Sequence, residues 1–461
     1  MTGKDKPRAA DGRTSDNDAP ERTDEESDVA ELPSRNSAAG DSGGKLMHNR
    51  NPTGRNQHGA VPPLTEDLKE ILRGYNRNNI TRYETLRERL ADDHGYKIGR
   101  STLAKYLKET GIGSSRKKLI PDIEATQMIL DELGNDPRQT RGPRTIKERL
   151  ALKGQHITRN KIESVMHDFA DESFDKRMPV SKQIKRSPLT GIGPDEEWSM
   201  DGHDKLRVAG FDIYGIRDKW SGKWHYYKVV PSNWYAAVVG VIQLECIKKV
   251  GGMAVQGSTD RGSEVRDAFS IFSALRDHFA PDLLKALVPA WRFLESPKNI
   301  TIERGWRPLF HTWGVNILQF YYAGIHGAYY EAQNEVHKEM SNWIWFPLIQ
   351  RELDDFVDTQ NNHRIRRQQE KNLPSGGTPN DFYRHPDRYG GQSCLIDIDI
   401  NVLDQLLDEA VEGRRLMQYV DEEFEEIANT AYIAVGRPKI TLHSAWDVFR
   451  VLVDYIAVDE N

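Results

Sequence analysis

The residues 196-EEWSMDGHDKL-206 place an acid directly after a short apolar run, and two later segments resemble this arrangement, 255-VQGSTDRGSE-264 and 295-ESPKNITIERGW-306. The apolar residues before Asp201 predict a strand that ends at this acid, followed by a turn through Gly202. The short run before Asp260 predicts a second strand, which turns into a helix. Two strand ends can bring these two carboxylates together.

The third acid, Glu303, lies where a helix is predicted to begin. Large apolar residues recur around it at helical spacing, namely Ile302, Trp306, Leu309, Phe310 and Trp313. One face of such a helix is buried, and Glu303 starts the helix beside that face. The three segments therefore predict an α/β fold in which two strands and one helix carry an acidic cluster.

Three carboxylates suit a hard divalent cation. Mg²⁺ prefers oxygen ligands and leaves positions for water and substrate phosphate. Two such ions, about 3.5–4 Å apart, can assist an in-line phosphoryl displacement. The sequence predicts two Mg²⁺ (or Mn²⁺) ions held by Asp201, Asp260 and Glu303. The alternative is that the Asp residues serve turn geometry and that Glu303 only favours the helix dipole.

The stretch 198–234, together with GSTDRGSE and SPKNITIERGW, resembles the integrase core domain of retroviral integrases and DDE transposases, especially transposon-derived integrase-like proteins of eukaryotic genomes. The resemblance covers about residues 186–390. It implies a ribonuclease H-like mixed sheet with the first Asp on the first strand, the second after the fourth strand, and the Glu on the following helix. It thereby implies catalytic and metal-binding roles for Asp201, Asp260 and Glu303.

Three nearby residues have other interpretations. Glu295 lies in the same window as the third acid, and it stays an alternative, although the resemblance to a Ser-Pro turn, an Asn and a Glu-Arg pair favours Glu303. Glu264 is interpreted as a supporting or capping residue. His203 is interpreted as a local hydrogen-bonding residue rather than a metal ligand.

An internal repeat precedes this region. LRERLADDHGYKIGRSTLAKYL (86–107) aligns, with a one-residue gap, with IKERLALKGQHITRNKIESVM (146–166). Each copy predicts an amphipathic helix, a glycine-containing turn and a second helix, which is typical of a helix-turn-helix. Residues 61–190 carry 26 Lys plus Arg against 19 Asp plus Glu, a net charge of +7. This basic surplus favours contact with double-stranded DNA.

Exposed residues of the second helix in each copy are the predicted DNA contacts, because a helix-turn-helix places this helix in the major groove. The candidates are Arg100, Ser101, Lys105, Lys108, Arg159, Asn160 and Lys161, together with Arg364, Arg366 and Arg367 of the later segment NNHRIRR. The alternative is that the copies are packing modules with solvated faces, and that the later cations stabilise a helix end.

Composition defines the remaining regions. Residues 1–60 contain no Phe, Trp or Tyr, which predicts a disordered arm. Residues 391–461 have 5 basic against 15 acidic residues, a net of −10, and this region is expected not to bind DNA. The predicted regions are the arm 1–60, helix-turn-helix modules at 61–118 and 119–175, a basic linker at 176–193, the catalytic core at 194–320, its helical extension at 321–390 and an acidic helical region at 391–461.

Targeting signals and cysteines limit the class of protein. The arm has no apolar signal-peptide segment, and no stretch has the apolar length of a membrane span. Cys246 and Cys394 are the only cysteines, which excludes a disulfide framework and a Cys-based zinc module. We expect a soluble, intracellular protein without membrane association. The basic run at 115–118 is interpreted first as a solvated linker, and the alternatives are phosphate binding or a weak nuclear signal. A nuclear location is the expectation that follows from the second alternative.

Three functions are consistent with the sequence. The first is an integrase or transposase that catalyses metal-dependent DNA cleavage and strand transfer, acting as a homo-oligomer because assemblies of the resembled family pair two DNA ends. The second is a catalytically silent, host-adapted DNA-binding protein. The third is a ribonuclease H-like nuclease without strand transfer. The three intact acids favour the first over the second, and the paired helix-turn-helix modules argue against the third.

Overall fold

A computed structural model of the chain describes residues 62–112, 120–169, 190–294, 299–327, 329–368 and 372–459. The predicted arm, the basic run at 115–118, most of the basic linker and Glu295 lie outside these ranges. Within them, no helix combines the length and the apolar composition needed to span a bilayer.

Two three-helix units begin the described chain. The helices are α1 (Glu66–Arg77), α2 (Tyr83–His94) and α3 (Arg100–Glu109), followed by α4 (Asp122–Gly134), α5 (Pro143–Leu152) and α6 (Arg159–Phe169). The repeated sequence forms the second and third helices of each unit. The matching Gly95 and Gly154 both adopt positive φ, 71° and 79°, which glycine tolerates best. The leading helices α1 and α4 were not part of the predicted repeat.

A five-stranded mixed sheet follows. Its strands are β1 (Glu197–His203), β2 (Asp212–Asp218), β3 (Trp224–Val230), β5 (Gln256–Asp260) and β6 (Trp291–Leu294), in the spatial order β3-β2-β1-β5-β6. The first three pair antiparallel, whereas β1, β5 and β6 pair parallel. The short β4 (Gly252–Met253) pairs with β7 (Ile396–Asp397) outside this sheet. The predicted α/β fold with a ribonuclease H-like mixed sheet is confirmed.

Each face of the sheet has its own apolar core. Trp198 and Met200 of β1 pack with α7 (Ala236–Val250), α8 (Arg266–Phe279), α13 (Ile400–Glu409) and α14 (Val411–Leu416). Ile213 of β2 and Trp224 of β3 pack on the other face. The helices with residues in that second core are α9 (Ile300–Leu309), α10 (Val315–His326), α11 (Glu335–Asn362), α15 (Glu422–Ala434) and α16 (Ala445–Asp459). The acidic C-terminal region is therefore part of the core's packing.

One predicted turn is wrong. Strand β1 continues through Gly202 to His203, and the chain turns only afterwards. A Cβ at position 202 would lie 2.5 Å from Nδ2 of Asn233. This amide crosses over the strand and donates to the carbonyl oxygen of Ile213 at 3.1 Å. Gly202 thus makes room for a neighbouring side chain, which local sequence patterns do not reveal.

The first three-helix unit docks on the segment around α12 (Pro379–Arg384). Arg89 of α2 is buried and forms an ion pair with Asp381, which also accepts a hydrogen bond from the Tyr389 hydroxyl. Arg384 lies 3.4 Å from Asp93 of α2. The second unit contacts the core through Asp136, whose Oδ1 accepts from Nδ2 of Asn316 at 2.8 Å. Both units therefore pack directly against the rest of the described chain.

Candidate active site

Strand register brings the first two acids together. β1 and β5 are parallel neighbours that pair Ser199 with Ser258. Asp201 and Asp260 each lie two residues further along, so they share one register and point to the same face of the sheet. Asp260 is the last residue of β5. Two carboxylates thus lie side by side at the carboxyl ends of adjacent parallel strands.

Helix α9 crosses this face and carries the third acid. Its N-cap residue, Asn299, is buried and bonds to β1: Oδ1 accepts from Oγ of Ser199 at 2.6 Å, and Nδ2 donates to the carbonyl oxygen of Met200 at 3.3 Å. Glu303 lies in the first turn and is exposed. One turn later, Nε1 of Trp306 donates to Oδ2 of Asp201 at 3.0 Å.

The pKa of Asp201 is raised by its burial and by the two neighbouring acids. Burial raises the pKa of the Asp201 carboxyl most, and the neighbouring Asp260 and Glu303 raise it further. Hydrogen bonds from Trp306 and Gly202 lower it, and the resulting pKa is about 7. The repulsion shows that the three carboxylates share one electrostatic environment. A divalent cation would relieve it, so the donor set fits the oxygen-ligated metal site that was predicted. Their oxygens do not all lie within 4.8 Å of one another.

Aromatic side chains form the floor beside the acids. His203 stacks on Trp306 with ring centroids 4.9 Å apart, and Trp224 lies 4.7 Å from Trp306. Burial lowers the pKa of His203 to about 4, and its Nε2 has no hydrogen-bond partner among the described residues. His203 is therefore neutral near pH 7 and acts by packing rather than by the hydrogen bonding expected from the sequence. A Cβ at Gly215 would lie 2.6 Å from the Trp306 ring, which explains the glycine.

Two aspartates on adjacent strands and a glutamate on helix α9 form the arrangement that the resemblance to integrase cores implied. Residues 191–385 match the family model of the integrase core domain. The match begins just before β1, ends just after α12, and contains all three acids, in agreement with the resemblance expected over about 186–390. No curated protein matches the chain. The ribonuclease H-like core expected from the sequence thus lies within the region that is similar to the integrase core domain.

The polar contact of Trp306 was not apparent from the sequence. Trp306 was interpreted as core packing, and it is buried, but its indole N–H also holds Asp201. Glu264, together with Asp201 and Asp260, raises the pKa of the buried Tyr214, after the larger effect of burial. Glu264 therefore lies near the acids. The helical spacing that placed Trp306 on a buried face gave no sign of its polar contact.

The candidate DNA contacts lie outside the cluster of Asp201, Asp260 and Glu303. Arg100, Ser101, Lys105 and Lys108 are exposed on α3; Arg159 and Asn160 are exposed on α6, and Lys161 is half-buried there; Arg364, Arg366 and Arg367 are exposed after α11. Several pair locally, for example Arg100 with Glu84 at 3.6 Å and Lys161 with Asp122 at 3.0 Å. Such exposed pairs contribute little free energy, so phosphates can compete for these cations.

Proposed function

We propose that this protein is a polynucleotidyl transferase of the integrase or transposase type, which cleaves DNA strands and joins them to target DNA with the help of divalent metal ions. The observation that carries the proposal is the pairing of Asp201 and Asp260 on adjacent parallel strands, with Glu303 on the helix that crosses them. The match to the integrase core domain supports the same reaction class.

In this proposal, Asp201, Asp260 and Glu303 hold Mg²⁺ or Mn²⁺. Bound there, two ions supply stabilisation for the attacking and leaving oxygens of an in-line phosphoryl displacement. Trp306 donates to Oδ2 of Asp201 and so orients this carboxylate. Asn299 holds the start of α9 on β1 and so positions Glu303 relative to Asp201. The neutral His203 supports the Trp306 ring without adding positive charge that would compete with the cations.

The exposed cations of the three-helix units are proposed to bind double-stranded DNA. Helices α3 and α6 would enter the major groove as recognition helices. Helix α3 stays accessible because the first unit contacts the core through α2, and Arg159 and Asn160 of α6 are exposed. A homo-oligomer that pairs two DNA ends, and a location in the nucleus, belong to the same proposal.

The test uses a branched DNA that mimics a strand-transfer product, so that reversal of joining can be measured without knowing the natural end sequence. The full chain should resolve this substrate with Mg²⁺ or Mn²⁺ and not with EDTA. Asp260→Asn should abolish the reaction while duplex binding stays within about twofold. Asp204→Asn, an exposed acid three residues beyond Asp201, is the matched control and should remain active.

Two outcomes would change the assignment. Activity in Asp260→Asn would contradict the roles of the three acids. Duplex binding without any cleavage or joining by the wild type would favour the catalytically silent, DNA-binding alternative. Cleavage without joining would favour a nuclease.

A further inference from the structure

A second pair of aspartates lies at the opposite end of strand β1. Asp195 lies two residues before the first residue of this strand and Asp218 ends β2; both are buried, with exposures of 1% and 0%. β1 begins at Glu197, and Asp201 lies four residues further along it, which corresponds to about 13 Å of strand. The cluster around Asp195 is therefore distinct from the acids of the candidate active site.

A buried histidine completes this cluster. His225, at the start of β3, is 4% exposed, and its ring lies between Trp198 and Tyr383, with centroid distances of 5.0 and 4.9 Å. One ligand atom each from Asp195, Asp218 and His225 can be chosen so that all lie within 4.8 Å of one another. The three residues come from separate elements, and they converge only through the pairing of β1, β2 and β3.

The imidazole nitrogen that faces the acids lacks a partner. Nε2 of His225 is buried without a hydrogen bond, although Oδ1 of Asp195 lies 3.3 Å away. A charge-assisted hydrogen bond would be about 2.7–2.9 Å long. A separation of about 3.3 Å is what tetrahedral Zn²⁺ places between two ligand atoms when each Zn–N or Zn–O bond is about 2.0–2.1 Å. The spacing fits a metal between the atoms better than a proton.

The remaining contacts of the carboxylates resemble support for metal ligands. Oδ1 of Asp195 accepts from Nε1 of Trp198 at 2.8 Å, and the Tyr383 hydroxyl lies near enough to this carboxylate that Asp195 raises its pKa, after the larger effect of burial. Oδ1 of Asp218 accepts from the backbone N–H of Asp195 at 2.8 Å, and Oδ2 accepts from the N–H of Ser221 at 2.6 Å. Hydrogen bonds of this kind orient ligating side chains in known metal sites.

Charge balance also favours a cation. Two buried carboxylates repel each other, and leaving both ionised without a counter-charge is costly. Lys223 is the nearby half-buried cation, and its ammonium group lies over the Tyr383 ring at 4.1 Å. We infer that Asp195, Asp218 and His225 form a structural site for a divalent transition-metal ion of the zinc class, which joins β1, β2 and β3 at the end remote from the catalytic acids. One imidazole and two carboxylates are suitable zinc ligands.

The test measures Zn²⁺ binding to the metal-depleted full chain by calorimetry. The background is Asp201→Asn/Asp260→Asn, which removes the other acidic site. This background should bind one equivalent of Zn²⁺, and adding His225→Gln should weaken the affinity by about 10²-fold or more, at least the loss expected when an outer contact is removed. His278→Gln, an exposed histidine on α8, is the matched control and should leave this affinity unchanged.

A second measurement leaves the cluster intact, so its result does not depend on whether the His225→Gln variant folds. X-ray absorption at the zinc edge of the loaded background protein should show nitrogen and oxygen ligands at about 2.0–2.2 Å with low coordination number. Zn²⁺ affinity that is the same with and without His225→Gln, or a spectrum of six distant oxygens, would overturn the inference. In that case, protons and Lys223 alone would balance the two carboxylates.

Discussion

The two ends of strand β1 each carry an aspartate that faces a second aspartate, yet the two pairs have different surroundings. Asp201 is partly exposed, and Trp306 is the side chain that donates to it. Asp218 is fully buried and accepts from two backbone N–H groups and from the hydroxyl of Ser221. The Asp201 carboxylate keeps oxygen lone pairs that can bind an ion entering from solvent. The Asp218 carboxylate has most of its lone pairs occupied by hydrogen bonds from the protein.

Because of this difference, we expect Asp201 to matter mainly for catalysis and Asp218 mainly for the stability of the fold. Carboxylates with open coordination positions near the surface can hold ions that also bind substrate phosphate. Carboxylates held by several buried hydrogen bonds contribute to the fold, because removing one partner leaves the others unsatisfied. Asp201 on β1 and Asp218 on the neighbouring strand β2 are therefore expected to respond oppositely to the same substitution.

The largest expected effect is on catalysis at the exposed end. Asp201→Asn should lower the rate of DNA strand joining by about 10²–10³-fold or more, the range for losing a group that stabilises transition-state charge. Asp218→Asn should keep the rate within a few-fold when equal amounts of folded protein are compared. Equal losses in both variants, measured with the branched substrate, would remove the distinction between the two ends.

The next effect is on folding at the buried end. Asp218→Asn replaces an acceptor oxygen by a donor that faces N–H groups, which should reduce the free energy of unfolding by about 1–3 kcal/mol. Asp201→Asn should be neutral or stabilising, because it removes the repulsion from Asp260 and Glu303. Denaturant unfolding of both variants without divalent ions tests the contrast, and a larger loss for Asp201→Asn would contradict it.

The sequence predicted the acidic cluster at the Asp201 end of β1 but not the cluster at the Asp195 end. Asp201, Asp260 and Glu303 each lie in a short segment with its own strand or helix signal, and the resemblance to integrase cores joins them. Asp195 and Asp218 have no comparable motif. They meet His225 only because the register of three strands aligns them. Periodicity likewise predicted the buried face of α9 but not its N-cap bonds to β1, which are long-range contacts.

A smaller effect should appear in the pH dependence of stability without metal. The pKa of Asp201 is raised to about 7 in the folded chain, from its ordinary value of 3.8, so the folded state binds this proton more tightly than the unfolded state. Its contribution to stability is therefore present below about pH 4 and is lost as the pH rises to 7. The shift corresponds to at most about 4 kcal/mol, and partial exposure reduces this to about 1–2 kcal/mol.

Comparison with Asp201→Asn isolates this contribution. The difference in unfolding free energy between wild type and variant should change by about 1–2 kcal/mol between pH 4 and 7, with the wild type losing stability relative to the variant. Mg²⁺ should diminish the change, because a bound cation favours the ionised carboxyl. A difference that stays constant with pH would mean that Asp201 is not crowded by Asp260 and Glu303.

The smallest effect tests whether the buried end responds to metal. Tyr383→Phe removes the hydroxyl near Asp195 but keeps the ring against His225, so it should cost about 1 kcal/mol without metal. It should also weaken Zn²⁺ binding by about tenfold, since it removes an outer contact of a ligand. Tyr389→Phe, which removes a hydroxyl bonded to Asp381, is the matched control. Its cost should not depend on Zn²⁺, because Asp381 belongs to the contact with α2 rather than to the cluster around Asp195. If Zn²⁺ changes the unfolding temperatures of both variants equally, the hydroxyl of Tyr383 supports packing alone, and the two ends of β1 differ in burial but not in metal chemistry.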